Sequence, residues 1–328
     1  RIRRYVEFAV LVDGDPFAGG GHLDFVVAHI VGEFADHRER PAVIGHEAYT
    51  PPRLPIRMRV IVHGGAGAGA SLGRPTPERQ AVLDAAASDG ATEGTPIEAV
   101  ETAIRRLEGD ERFNAGRGGA IQSDGVVRVD AGLMTDDRTV GAVTSVPGVE
   151  HAVSAARVVA AETPHVCVAG DHAAALAADF GIETGLDLTT ERTRERFAAA
   201  DPPQGSPKAH LDWLRERFGR DGAHDHDTVG AVAAADGAFA AATSTAGRWF
   251  ALAGRVGDVP QVGSGFFCTP AGGASATGAG EDIARVTLAR RAVDYLADGA
   301  SADRAATLAI EEFEDLTGST AGVIVCGP

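Results

Sequence analysis

Two short apolar runs, TVGAVAAA (228–235) and AFAAATST (238–245), are joined by Asp236-Gly237. An Asp-Gly pair between β-prone runs is a strong hairpin signal, because both central residues of the favoured turn need positive φ. The pattern therefore predicts two antiparallel strands, with Thr243, Ser244 and Thr245 set beside the start of the Thr228 strand. A polar, turn-rich stretch from Gly185 to Asp227, with charged helical pieces such as 210–218 between its prolines, precedes them and has the look of a linker. A threonine thus opens an apolar strand directly after a linker-like segment.

That placement has a chemical reading. A threonine hydroxyl is a poor nucleophile until a base removes its proton. An N-terminal threonine carries its own base, an α-amine with a reference pKa of about 7.7–8.0, close to the pH where general-base catalysis is most efficient. An internal amide nitrogen cannot serve, so the scheme requires a cut between Asp227 and Thr228. Attack of the Thr228 hydroxyl on the Asp227 carbonyl would make that cut, with the Asp227 carboxylate as a candidate proton acceptor. Read alone, Thr228 is more simply the first residue of a strand, a position threonine favours.

The chain has 328 residues, 44% of them hydrophobic, enough for a sizeable core in one large or two small domains. Its formal net charge is −16, with Lys208 the single lysine. This balance argues against nucleic acid and anionic membranes as partners and fits a cytosol of high ionic strength, where repulsion is screened. Cys167, Cys268 and Cys326 lie too far apart for a disulfide framework or a zinc spacing. No apolar run reaches membrane-spanning length, and the start lacks signal-peptide character. The expectation is a soluble, cytoplasmic protein.

Residues 1–57 differ from the rest and end in a proline-rich exit, Pro51-Pro52-Arg53-Leu54-Pro55. They read as an N-terminal extension of doubtful origin, with the main domain opening at the Met58 strand. That strand runs into HGGAGAGA (63–70). The glycine spacing is similar to a dinucleotide loop, but that fingerprint needs a helix directly after the glycines, and here 71–77 intervenes with Pro75 and Pro77. Helices are expected over 77–88, 96–107, 151–161 and 171–179, strands over 139–146 and 165–169, and a hairpin at Ser123-Asp124-Gly125. Backbone carbonyls of the glycine-punctuated loop 107–118 can ring a cation. HDHD (224–227) invites a metal reading, but neighbours on an extended chain point to opposite sides, so an exposed segment is expected there. Arg255 and Asp258 suit the carboxylate and ammonium of an amino acid. The glycine-rich stretch 276–281 opens a helix expected over 282–296, with N–H groups suited to an oxyanion. A helix over 302–316 and a strand over 321–326 close the chain.

Six motifs occur in order over nearly all of 58–328: HGGAGA (63–68), LEGDERFNAGRG (107–118), HDTVGAV (226–232), TSTAGR (243–248), GRVGD (254–258) and TGAGE (277–281). With these the chain resembles the plant-type L-asparaginase and isoaspartyl aminopeptidase family, grouped with glycosylasparaginase and taspase among the N-terminal-nucleophile hydrolases. The resemblance implies an α+β fold, a four-layer αββα sandwich. It implies a cut into an α chain (58–227) and a β chain (228–328) that stay together, as a dimer of such pairs. Thr228 is then the nucleophile, Thr245 its hydrogen-bond partner, and Thr277 with Gly278 the oxyanion hole, a preorganised donor pair. Arg255 and Asp258 hold the substrate head group, with Gly278 and Gly280 lining the same pocket. The loop resembles the family's structural sodium loop, through the carbonyls of Leu107, Glu108, Asp110, Phe113, Ala115 and Arg117; no cofactor is required. The implied reaction hydrolyses L-asparagine to L-aspartate and ammonia, with β-aspartyl peptides as a second substrate class.

Several positions depart from the family pattern. Asp227 precedes the threonine, as in glycosylasparaginase and taspase, where asparaginases often have glycine. TGAGE matches the asparaginase branch. Ala246 replaces the usual glycine, Val259 a frequent serine, and the chain stops at Pro328, short of a final hairpin. A glycosylasparaginase and a taspase-like or non-catalytic relative are the competing readings. The pair Arg255 and Asp258, suited to a free amino-acid head group, disfavours a protein-processing role.

Overall fold

A computed structural model describes residues 9–13, 58–65, 76–218 and 227–328. The Asp-Gly hairpin forms as expected: β6 (Val229–Ala235) and β7 (Ala238–Thr245) pair from Val229 opposite Ser244 to Ala235 opposite Ala238. Asp236 and Gly237 take φ of 51° and 82°, as a type I′ turn demands.

This hairpin is the middle of a seven-stranded sheet ordered β1-β2-β6-β7-β3-β4-β5. Its other strands are β1 (Ala9–Asp13), β2 (Arg59–His63), β3 (Arg128–Thr135), β4 (Val140–Pro147) and β5 (Cys167–Ala169). The β4–β5 pair is parallel and the other pairs are antiparallel. Part of the expected N-terminal extension, β1, thus pairs with β2 at the sheet edge. A three-stranded antiparallel sheet follows the order β10-β9-β8, from β8 (Phe266–Thr269), β9 (Gly272–Gly278) and β10 (Ala321–Cys326).

Strand periodicity divides the core in two. Val229, Ala231, Ala233 and Ala235 join one cluster with α1 (Pro77–Ala91), α2 (Pro96–Glu108), α3 (Ala152–Glu162) and α4 (Gly170–Asp179). The alternate residues Val232 and Ala234 join the other, with β8 to β10, α8 (Leu288–Ala297) and α9 (Ala302–Thr317). Every residue of β6 is buried, so the central hairpin is covered on both faces. Helices α1 and α2 each open with a threonine cap followed by proline, Thr76-Pro77 and Thr95-Pro96, a favoured start.

Two expectations change. The single helix expected over 282–296 is two, α7 (Gly280–Val286) and α8, separated by Thr287 at φ 57°. The break is tertiary in origin. Ala289 and Arg290 donate their N–H groups to the carbonyls of Ser264 and Gly263, at 3.2 and 2.8 Å, satisfying donors at the start of α8. The linker-like stretch is packed onto the domain, and the helical piece expected at 210–218 is part of it. Helices α5 (Glu191–Ala200) and α6 (Pro207–Phe218) dock through Phe197, Trp213 and Trp249 packed around Phe250, with ring centroids 6.1, 5.7 and 5.7 Å away. The Ser123 hydroxyl lies 3.1 Å from Nδ1 of buried His210 on α6. The HDHD histidines His224 and His226 lie outside the described residues, as do 66–75 and all of 1–57 except 9–13. Among the described residues no helix is long and apolar enough to cross a membrane.

Candidate active site

Thr228 is buried at the head of β6, and the hairpin sets the end of β7 beside it. In the uncut chain the Thr245 hydroxyl donates to the carbonyl of Asp227 at 3.0 Å, rather than to Thr228. The intact peptide bond puts that carbonyl within the hydroxyl's reach. A second donor joins it: Nδ2 of Asn114 lies 3.0 Å from the same oxygen. The Asn114 amide is itself fixed, donating to the Gly247 carbonyl at 2.6 Å and accepting from Ala120 N–H at 2.7 Å. The bond preceding Thr228 therefore has a carbonyl polarised by two donors.

The Asp227 side chain packs against Gly65 and faces Arg79, 3.6 Å away. Arg79 also donates to the Gly64 carbonyl at 2.9 Å and lies over the Phe113 ring at 5.0 Å. Asp227 thus meets a cation and the HGG segment, an arrangement that reading it as a proton acceptor did not include.

Thr277 and Gly278 close β9, which belongs to the smaller sheet. Thr277 is buried, and its Oγ1 has no hydrogen-bond partner, a cost a bound acceptor would relieve. Beyond them, the turn at 254–258 and the start of α7 bring Arg255, Asp258 and Gly280 together. A Cβ on Gly280 would lie 2.5 Å from Asp258 Oδ1 and 2.9 Å from Arg255 Nη2, so only glycine leaves this space open. Asp258 is buried, with Oδ2 unpartnered. Burial pushes its carboxyl up to about 7, opposed by the Arg255 charge. Glu281 accepts from Arg255 Nε at 2.9 Å and from Arg248 Nη1 at 3.1 Å. Burial would raise its carboxyl, but the two arginines outweigh it and hold it down at about 2. Glu281 thus orients Arg255. Buried Asp130 stands opposite Thr245 on β3 and accepts from Ser145 N–H at 2.7 Å and the Thr144 hydroxyl at 2.9 Å. Burial pushes it up to about 6 against those bonds.

The loop 107–117 runs from the end of α2 past Asn114. Carbonyls of Glu108 and Asp110 each accept one backbone N–H, from Arg117 and Phe113 at 2.9 and 3.1 Å, which leaves each oxygen a second lone pair, while the Leu107 carbonyl accepts two, from Gly109 and Asp110. The Glu108 side chain, read only for its carbonyl in the sequence, is fully buried. It accepts from the Ser244 hydroxyl at 2.6 Å and Val153 N–H at 3.0 Å, and burial raises its carboxyl. Among the described residues no cluster of three His, Cys, Asp or Glu side chains suits a metal.

Of the departures, Ala246 is accommodated: a Cβ on Gly119 would collide with the Ala246 methyl, so glycine at 119 makes the room. Val259 is buried beside Gly265.

A family profile described as asparaginase matches residues 56–328. The isoaspartyl peptidase/L-asparaginase of Rattus norvegicus is 35% identical over 298 residues, covering 87% of this chain and 86% of its own. The plant-type L-asparaginase of Pyrobaculum calidifontis is 38% identical over 274 residues, covering 81% and 89%. That of Pyrococcus abyssi is 34% identical over 257 residues, covering 77% and 84%.

Proposed function

The chain belongs to the asparaginase family of hydrolases, and on that premise we propose that it is an autoprocessing threonine amidohydrolase. In the precursor, Thr228 Oγ1 attacks the Asp227 carbonyl carbon. Negative charge on the oxygen is received by the Asn114 amide and the Thr245 hydroxyl, the two donors already on it. The hydroxyl proton passes to the Thr228 nitrogen as the C–N bond breaks, leaving an ester with a free Thr228 amine, and water hydrolyses the ester to the Thr228 hydroxyl and the Asp227 α-carboxylate. The amine then takes the Thr228 hydroxyl proton, and Oγ1 attacks the side-chain carbonyl of the substrate. Thr277 Oγ1 and the Gly278 N–H stabilise the oxyanion; removing one such donor typically lowers kcat by about 10²–10³. The proton passes to the departing ammonia or peptide amine, and water releases aspartate.

The substrate class is L-asparagine together with β-aspartyl peptides. Arg255, oriented by Glu281, takes the α-carboxylate, and the unpartnered Asp258 oxygen takes the α-ammonium. Arrangement as an αββα sandwich is supported by the two core clusters on opposite faces of the central hairpin. The spare lone pairs of the 107–117 carbonyls fit a structural sodium ion, and residence in the cytoplasm as a dimer of αβ pairs completes the reading.

The observation that carries it is the doubly hydrogen-bonded carbonyl immediately before Thr228. Intact mass under denaturing conditions, with N-terminal sequencing, tests it. The wild-type chain yields a fragment beginning Thr228-Val229-Gly230 and releases ammonia from asparagine; Thr228→Ala stays uncut and releases none. An uncut wild-type chain, or an active Thr228→Ala variant, overturns it. Preference for glycosylated asparagine over asparagine would move the chain to the glycosylasparaginase reading.

A further inference from the structure

Behind the three site threonines runs a chain of buried polar groups that the proposed mechanism does not use. His63 Nε2 lies 2.9 Å from Ser275 Oγ, and Ser275 Oγ lies 2.8 Å from Thr243 Oγ1. The Thr243 hydroxyl lies 2.8 Å from the Gly265 carbonyl, to which it donates. All three side chains are fully buried. Burial pushes His63 down to about 4, with the Thr228 backbone opposing, so the imidazole enters the chain neutral.

The register gives this chain its meaning. His63, Gly230, Thr243 and Gly132 form one row across the large sheet, on β2, β6, β7 and β3. Ser275 and Phe266 are neighbours on β9 and β8 of the small sheet. A Cβ on Gly230 would collide with Ser275 Oγ and His63 Nε2, and one on Gly132 would collide with the Phe266 ring. The two glycines are therefore holes, and Ser275 and Phe266 are the knobs that fill them. Thr243 stands between the holes and His63 on the far side of Gly230, each within hydrogen-bond distance of Ser275. On the three strands that carry the threonines these residues lie two positions from the site: Gly230 from Thr228, Thr243 from Thr245, Ser275 from Thr277. Two residues are one strand period, about 6.6 Å along the strand and on the same face.

We propose that His63, Ser275 and Thr243 are positioning residues: they set how far the sheet bearing Thr228 and Thr245 stands from the strand bearing Thr277. This rests on the functional reading above for its effect on rate, but not for its effect on spacing. Buried polar groups left unpaired are costly, so the chain tolerates only separations at which all its bonds are made.

Thr243→Val keeps the shape and removes the hydroxyl; Thr243→Ser keeps the hydroxyl and is the rescue variant. Full-length proteins are compared in two ways. In steady-state hydrolysis of asparagine, Thr243→Val lowers kcat at least about tenfold with KM changed less than about twofold, and Thr243→Ser returns kcat to within about threefold of wild type. Crystal structures give the second readout, which needs no activity: the Gly230 to Ser275 Cα separation shifts by about 0.5 Å or more in Thr243→Val and is restored in Thr243→Ser. Ser275→Ala, which lacks the same links, is the second variant should Thr243→Val fail to fold. A kcat within twofold of wild type in a folded Thr243→Val or Ser275→Ala variant overturns the proposal. So does an unchanged separation, including in a protein that proves unable to process or hydrolyse anything.

Discussion

A carboxyl group sealed from water, with one oxygen lacking a partner, keeps its proton into the neutral range, and Asp258 is pushed up to about 7 in this way. An ammonium group needs the ionised form. Below that pH the free enzyme carries a protonated Asp258, so kcat/KM for asparagine falls as pH drops through about 7, since kcat/KM reports free-enzyme groups. Asp258→Asn loses most of its activity, and the acidic limb left to it is the one set by the Thr228 amine, which must be unprotonated to act as base. A wild-type profile that stays flat from about pH 5.5 to 8 would contradict the assignment. The linked stability has the opposite sign to the usual carboxylate: the folded pKa lies above the unfolded value, so stability from this group is present at low pH and lost as pH rises toward 7. Reading the sequence reached Asp258 and Arg255 because they sit in one short motif. It missed what Asn114 does, although the motif containing Asn114 was matched, because the carbonyl it holds is 113 residues away. Glu281 was likewise read as the end of a motif and not as the group that aims Arg255.

Elements were most legible where a local rule decides them. The Asp236-Gly237 turn needs two positive φ values, and both residues supply them. Gly237→Val places a β-branched residue there and should lower unfolding free energy by about 1–3 kcal/mol, read from denaturant titration; an unchanged midpoint would mean the turn adopts another geometry. The threonine-proline starts of α1 and α2 were equally visible. The break between α7 and α8 was not. No glycine or proline marks it, because the deciding partners are the carbonyls of Gly263 and Ser264 from another part of the chain. Segment 191–218 was legible only in part: its charged helical piece at 210–218 is there in α6, but its charge and prolines read as a linker because the aromatic contacts around Phe250 that dock it are non-local. Which strands belong to which sheet was also beyond local pattern, since β6 and β9 are both short, rich in small residues and wholly buried.

At the scale of the molecule, the strand order matters more than any contact. β6 and β7 follow the proposed cut, yet they lie between β2 and β3, which precede it. Five residue pairs join β6 to β2 and six join β7 to β3. After cleavage the two pieces should therefore co-elute on size exclusion in native buffer, even on dilution to about nanomolar protein, a concentration at which only very tight complexes survive. Separation without denaturant would contradict the interleaving. A wedge driven into the middle of a sheet cannot be withdrawn and exchanged for a fresh one without dismantling the sheet. Under the proposed cut, each molecule's two halves are then companions for life, and the break between them is never repaired. The uncut fraction in a population would run down like sand in a glass, recording how long ago its members were made.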